Sequence, residues 1–290
     1  MWATPQGFFA YPQGFPQAQV VYPSSVSVSA AGGRSHSGST GVRGKGRMGQ
    51  QNTKQQRLDN AAKTGVFAMQ DKPLMSFPEK ALQIPSLRTL HIENCGLSKL
   101  PEEIANSKDS LQRLKLPRNK LERVPESLTR CIALQQLDIS GNRITALPEI
   151  FMGMGKLKEL SLARNLLTVV PGSIAALESL KMLDLSGNRL STLPDGLGKL
   201  KNLEDLDVSG NKLARLVEDC AGMERLRRVN AEKNQLQSVP VTLLRDTKVE
   251  ILKIANNPLK TLEGCEGYSE YNERYQKRRD KETDSRVGTR

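Results

Sequence analysis

The feature that most restricts this chain is a spacing. Apolar residues open successive units at Leu87, Leu111, Leu134, Leu157, Leu180, Leu203, Leu226 and Val249, at an interval of 24 residues once and 23 thereafter. In the fullest unit, LKMLDLSGNRLSTLPDGLGKLKN at 180–202, the first, fourth and sixth positions are Leu180, Leu183 and Leu185, joined by Leu190 and Leu193 as the chain turns away. The fourth and sixth positions are two residues apart, so both point to the same side of a short strand. One such unit cannot enclose its own leucines. A stack of them can, with each strand laid beside the last in a parallel sheet.

The recurring pattern LxxLxLxxNxL at a constant period is the mark of the leucine-rich repeat. Its ninth position is Asn119, Asn142, Asn165, Asn188, Asn211, Asn234 and Asn257 in seven units and Cys95 in the first. An amide there can both donate to and accept from turn backbone that would otherwise be buried without partners, so the asparagines read as structural and the front turn as the weakest. Leu-Pro or Val-Pro follows in most units, as in Leu193-Pro194. Proline there fixes φ and admits a short helical or 3-10 turn whose Ile104, Leu128, Ile150, Ile174 and Leu197 face back to the core. The expected fold is therefore an α/β solenoid, a leucine-rich repeat horseshoe with a parallel concave β-sheet and short helical or 3-10 convex segments.

The rest of the chain divides around this array. Residues 1–47, rich in Pro, Gly, Ser and Gln without sustained periodicity, read as a disordered extension, and 48–63 as a basic linker or alternative N-terminus. Residues 64–86 place Phe67, Met69, Leu74, Phe77 and Pro78 one step before Leu87, a degenerate capping repeat. Eight repeats occupy 87–262. Residues 263–282 carry Tyr268, Tyr271 and Tyr275 on one helical face, a C-terminal cap, and 283–290 read as a disordered tail.

Charge and cysteine content narrow the function classes. The net charge of +12 divides into seven Lys/Arg against one acid over residues 1–63, seven against seven over 263–290, and 29 against 23 between them. An excess of that size spread over the body favours solubility and implies no specific nucleic-acid partner. Cys95, Cys131, Cys220 and Cys265 form no CxxC pair and read as free thiols of a reducing compartment. With no secretory leader, no N-x-[ST] sequon and no run of 18 apolar residues, the expected location is cytoplasmic.

Function on such a fold belongs to the strand residues that point outward. In successive units the third position carries Arg113, Gln136, Glu159, Met182, Asp205 and Arg228, and the fifth Lys115, Asp138, Ser161, Asp184, Asp207 and Asn230; the eighth carries Arg118, Arg164 and Lys233 among others. This order predicts an acidic centre at Glu159, Asp184, Asp205 and Asp207, between a front basic cluster at Arg113, Lys115 and Arg118 and a rear one at Arg228 and Lys233, with Asp138 and Arg164 also among the candidate binding residues. Such a face orients a complementary partner. Asp184 and Asp207 replaced by Lys would then weaken binding of a basic partner and leave folding largely intact. Paired carboxylates can also serve acid/base chemistry, but the histidines are His36 and His91, far from the acids, and no nucleotide or zinc-protease motif is present. The chain reads as a non-enzyme with neither cofactor nor metal.

Met48-Gly49-Gln50-Gln51-Asn52-Thr53 matches the N-myristoylation pattern for a product beginning at Met48. From this MGQQ, through AAKTGVFAMQDKPLMSFPEKA at 61–81, to LEGCEGYSEYNERY at 262–275, the chain resembles the leucine-rich repeat-containing protein 57 group over residues 48 to about 282. The resemblance implies a lipid-anchored cytosolic protein without enzymatic activity, with Gly49 as acyl acceptor; residues 1–47 depart from it. It leads to weak inner-leaflet membrane contact for the shorter product, since one acyl chain anchors marginally. The expected function is an intracellular adaptor or scaffold that binds a protein on the concave face; the alternative is a regulatory subunit of a phosphatase or small-GTPase pathway. If the leucines form one continuous core, Leu183→Ala costs about 2–5 kcal/mol by cavity formation, read as a lowered denaturant midpoint.

Overall fold

Each 23-residue step of the sequence contributes one strand and one return. The computed structural model describes residues 45–149 and 153–287, with side chains from Gln55 to Lys281. The extension expected over 1–47 falls outside them up to residue 44, as does Ile150. Nine strands, β1 (Val66–Gln70), β2 (Thr89–Glu93), β3 (Arg113–Lys115), β4 (Gln136–Asp138), β5 (Glu159–Ser161), β6 (Met182–Asp184), β7 (Asp205–Asp207), β8 (Arg228–Asn230) and β9 (Ile251–Lys253), form one parallel sheet in chain order. All lie in the compact unit Gly46–Arg290.

The register is that of the repeat. Leu160 of β5 stands beside Leu183 of β6, and Leu183 beside Leu206 of β7. This row and the sixth-position row Ile139, Leu162, Leu185 and Val208 are buried almost completely. With the third and fifth positions pointing the other way, most strands are just three residues long: one inward side chain between two outward ones.

The asparagines join the repeats where the strands end. Asn188 shows the pattern: Nδ2 donates to the carbonyls of Leu162 (3.0 Å), Leu185 (2.9 Å) and Ser186 (3.3 Å), and Oδ1 accepts from the Leu167 N–H (3.1 Å). One amide thus satisfies two turns. Cys95, in the first unit, donates through Sγ only to the Glu93 carbonyl of its own turn, at 3.1 Å. The front is tied instead by the neighbouring Asn94, whose Nδ2 donates to Asp71 Oδ1 at 2.7 Å, and by Leu74 N–H to Cys95 O at 2.9 Å. Stitching at the first turn has therefore moved one residue along rather than disappeared.

Before each asparagine the backbone crosses into the left-handed region. The eighth position has φ between 49° at Asn94 and 65° at Gly187 and Gly210 in every unit. Its N–H continues the ladder beyond the strand, as from Arg164 to Ser186 O at 2.7 Å. At Gly187 a Cβ would also stand 3.2 Å from Arg164 Cγ, so the arginine of one repeat lies over the glycine of the next.

The returns are 3-10 turns at Glu79–Gln83, Glu102–Ser107, Glu126–Arg130, Gly172–Ala176 and Asp195–Lys199, each preceded by a proline, and the short helix α2 at Val241–Arg245. Between β7 and β8 the proline position holds Val217, and no helical turn forms there. Thr242 organises that return, accepting from the Cys220 N–H at 3.1 Å and donating to Glu218 O at 2.6 Å. The four cysteines are free, and burial pushes the Cys131 thiol up to about 11 and Cys220 up to about 12.

Helices close both ends. Where the sequence reads as a basic linker, α1 runs from Lys45 to Thr64, with Leu58 and Ala61 buried in the core. At the far end α3 spans Tyr268–Val287, five residues beyond the expected limit of the cap. Tyr271 is buried, and its hydroxyl accepts from the Leu252 N–H of β9 at 3.3 Å; Arg274 donates to the carbonyls of Val249, at 3.1 Å, and Leu244. The tyrosine face therefore covers the last repeat and supplies polar partners to its backbone. The ladder predicts that Asn188→Ala, which strands buried backbone groups in two turns, costs about 2–4 kcal/mol. Equilibrium urea unfolding would measure it.

Candidate functional site

The strand geometry decides which charges share a surface. Arg113 and Lys115 flank Leu114 on β3, and Asp138, Glu159, Asp184, Asp205 and Asp207 occupy β4 to β7, all at third and fifth positions on the concave side of the sheet. Arg118, Arg164 and Lys233 are placed elsewhere. Each lies three residues past the end of its strand at the left-handed turn position, and belongs to the lateral edge where the strands exit.

Local bonding sorts the acids further. Asp205 is buried and forms a bidentate pair with Arg228, its cross-strand neighbour, through Nε and Nη2. Two residues expected to meet a partner thus meet each other, and the rear basic cluster loses its concave-face member. Glu159 accepts from Gln136 Nε2 on the adjacent strand. Near the front, Glu93 lies 3.3 Å from His91 Nε2 and 3.5 Å from Arg118 Nη1.

Asp138, Asp184 and Asp207 share a different construction. In each, Oδ1 accepts from both the N–H and the hydroxyl of the serine two residues on: Asp184 from Ser186 at 3.0 and 2.7 Å, Asp207 from Ser209 at 2.9 and 2.7 Å, and Asp138 from Ser140 at 3.0 and 2.7 Å. One oxygen thus shapes the turn and the other is left for the open face, although Asp207 Oδ2 also accepts from Asn230 at 2.9 Å. This alters the expectation that Asp184→Lys and Asp207→Lys leave folding largely intact, because lysine removes the turn acceptor. The signal was readable as Asp-x-Ser-Gly-Asn or Asp-x-Ser-Gly in the repeats.

Asp184 and Asp207 are direct neighbours in register, about 4.8 Å apart by strand spacing. Burial pushes the Asp184 carboxyl above its ordinary value of 3.8; the bonds from Ser186 oppose this, and the charges of Asp207 and Asp138 add to it. Two residues before Asp184 on β6, and in register with Asp205, stands Met182, 44% exposed, the one large apolar side chain so exposed on strands β3 to β9 among the described residues. No group of three or more His, Cys, Asp and Glu side chains among the described residues is placed to hold a metal ion. Gly49 lies in the first half of α1, where side chains fall outside the described residues.

Because Asp184 has a raised value in the folded state, the unfolded chain ionises first, and stability falls as pH rises from 3.8 through the folded-state value. Asp184→Asn keeps an oxygen acceptor for Ser186 and removes the charge. The variant is expected to melt higher than the parent at neutral pH, with the gain disappearing once the pH drops below the ordinary aspartate range. Melting curves across that range would check it.

The leucine rich repeat family pattern matches residues 85–144 and 145–190, and a two-copy leucine rich repeat pattern matches 178–219. No curated protein matches the chain at a significant level. Among solved structures, an internalin from Listeria monocytogenes is similar with a TM-score of 0.60 at 20% identity, over 69% of this chain and 57% of that one. InlP from Listeria monocytogenes aligns at 0.52 and 30% identity, over 61% and 50%. The leucine-rich repeat ectodomain of an Arabidopsis thaliana membrane receptor kinase, solved with Casparian strip integrity factor 2, aligns at 0.52 and 21%, over 63% and 28%. The match therefore spans less than two thirds of each of those chains.

These neighbours correct the expectation of a cytoplasmic, lipid-anchored protein with intracellular partners and inner-leaflet contact: they are a receptor ectodomain and internalins. The physical reason is that a leucine core and an asparagine ladder fold alike on either side of a membrane, so separated cysteines did not report the compartment. Among the described residues, no helix is long and apolar enough to cross a membrane. The shared fold is one that a receptor ectodomain and internalins also adopt. What the pattern matches, the nine-stranded sheet and the asparagine ladder establish together is a leucine-rich repeat protein with a parallel-sheet solenoid and short helical returns.

Proposed function

We propose that the protein is a binding module that holds a polypeptide partner on its concave face, with basic side chains of the partner over Asp184 and Asp207. The observation that carries this reading is the row of half-buried carboxylates at Asp138, Asp184 and Asp207, each held at one oxygen by its own turn. Asp184 is already harder to ionise than a free aspartate, so the charge of an incoming cation offsets both the cost of its desolvation and the repulsion from Asp207. Arg113 and Lys115 at the front give the face a direction: a ligand with acidic residues at one end and basic residues at the other fits in one orientation. Met182, on the same strand as Asp184, offers an apolar contact beside it.

The solved relatives support a binding role. The Arabidopsis thaliana receptor ectodomain is in complex with a named factor, which makes occupancy of such a solenoid by another polypeptide a physical precedent. Within this reading the protein acts as an adaptor, joining partners by occupancy alone. Its resemblance to the leucine-rich repeat-containing protein 57 group rests on the segments that supply its two ends, and the finer assignment to that group is part of the same proposal. No observation favours regulation of a phosphatase or a small GTPase.

The clean probe is Asp184→Asn with Asp207→Asn, which removes both charges and retains both turn acceptors. Affinity capture with the full chain, followed by mass spectrometry, is expected to lose a discrete set of partners while the melting curve stays cooperative. An unchanged set from a normally folded variant rejects the concave carboxylates as the binding determinant.

A further inference from the structure

The basic excess of the body is organised on one edge of the solenoid rather than spread over it. In six consecutive repeats, the ladder asparagine is flanked at the eighth or tenth position by an arginine or lysine. Where the eighth position is glycine the tenth is basic, as in Gly141-Asn142-Arg143, Gly187-Asn188-Arg189 and Gly210-Asn211-Lys212. Where the tenth is Leu166 or Gln235, the eighth is Arg164 or Lys233; the remaining repeat has both Arg118 and Lys120. The asparagine between these positions is buried in each case, and so is the residue after the tenth, so the cations point out from the same edge.

All seven side chains are exposed. Arg118 approaches Glu93 at 3.5 Å; the other six make no ion pair or side-chain hydrogen bond with the described residues. Parallel repeats advance about 4.8 Å each, so the edge presents a cation at nearly every step over about 25 Å. Acids are sparse there: Glu93 is occupied by Arg118 and His91, and Glu122 and Glu232 lie beside the row. Folding does not require this charge, since glycine, leucine and glutamine all occur at these two positions. The alternation keeps one cation per repeat while the residue type at the left-handed position changes.

We propose that this edge binds a linear sulfated polysaccharide, with successive sulfates meeting successive repeats. A one-dimensional row of long, flexible cations suits a flexible polymer of regularly spaced anions. Single-stranded nucleic acid fits less well because its binding sites add aromatic platforms on which bases stack, and neither position carries an aromatic residue in any of the six repeats. The edge is distinct from the concave carboxylates at Asp184 and Asp207, so the two sites differ in charge and take different ligands.

The test uses the full chain and a fluorescent heparin oligosaccharide, followed by anisotropy over a series of salt concentrations. The triple variant Arg143→Gln, Arg189→Gln and Lys212→Gln is expected to bind at least about tenfold more weakly at physiological salt, with a salt slope smaller by about two. Asp184→Asn with Asp207→Asn is expected to leave heparin affinity unreduced, which separates failure of this edge from failure of the concave face. Equal affinity for the triple variant and the parent would overturn the proposal. Single-stranded DNA of matched charge binding as tightly as heparin would also overturn it.

Discussion

The side-chain amide of the ninth position is the interaction on which the architecture depends. Three-residue strands make few backbone bonds, and the chain must leave each strand through a left-handed residue into a turn packed against leucines. The carbonyls and N–H groups of that turn cannot reach water. An asparagine answers them from inside, donating to its own turn and the previous one and accepting from the previous one. Each amide ties one repeat to the next, so a chain of local contacts acquires the continuity of a single core. Aspartate could not donate there, and serine could not span both turns.

This arrangement leaves two surfaces free to vary. Outward strand residues form the concave face, and the residues on either side of the asparagine form the lateral edge. Their chemistry differs because their backbone differs. On the strands, charges stand in register beside each other and can neutralise, as Asp205 and Arg228 do, or be held by the following serine, as Asp184 and Asp207 are. At the edge, side chains leave a tight turn and project past the sheet, and of the seven cations there only Arg118 meets an acid among the described residues, Glu93.

The closing helices have the same origin as the ladder. A stack of strands ends in unsatisfied backbone, and at β9 the remedy is Tyr271 with Arg274, which offer one acceptor and one donor group where another repeat would have supplied both. The apolar face of Tyr268, Tyr271 and Tyr275 was legible from its helical spacing. Arg274 was not, because an arginine within a run of charged residues looks like a solvated face until the carbonyl ends of the last repeat are placed beside it.

The sequence by itself determined the period, the parallel order of strands, the inward leucines and the role of the asparagines, because each follows from spacing along one chain and recurs. It also identified the concave residues by position. Tertiary structure decided which of them remain available: Asp205 and Arg228 cancel, the aspartates followed by serine spend one oxygen on their turns, and Arg118, Arg164 and Lys233 move off the strand face to an edge they share with Lys120, Arg143, Arg189 and Lys212. Those outcomes depend on neighbours 23 residues away and on the left-handed turn that redirects the eighth position. Charges counted along a chain give a sum; only the stacking of repeats says where that sum is concentrated.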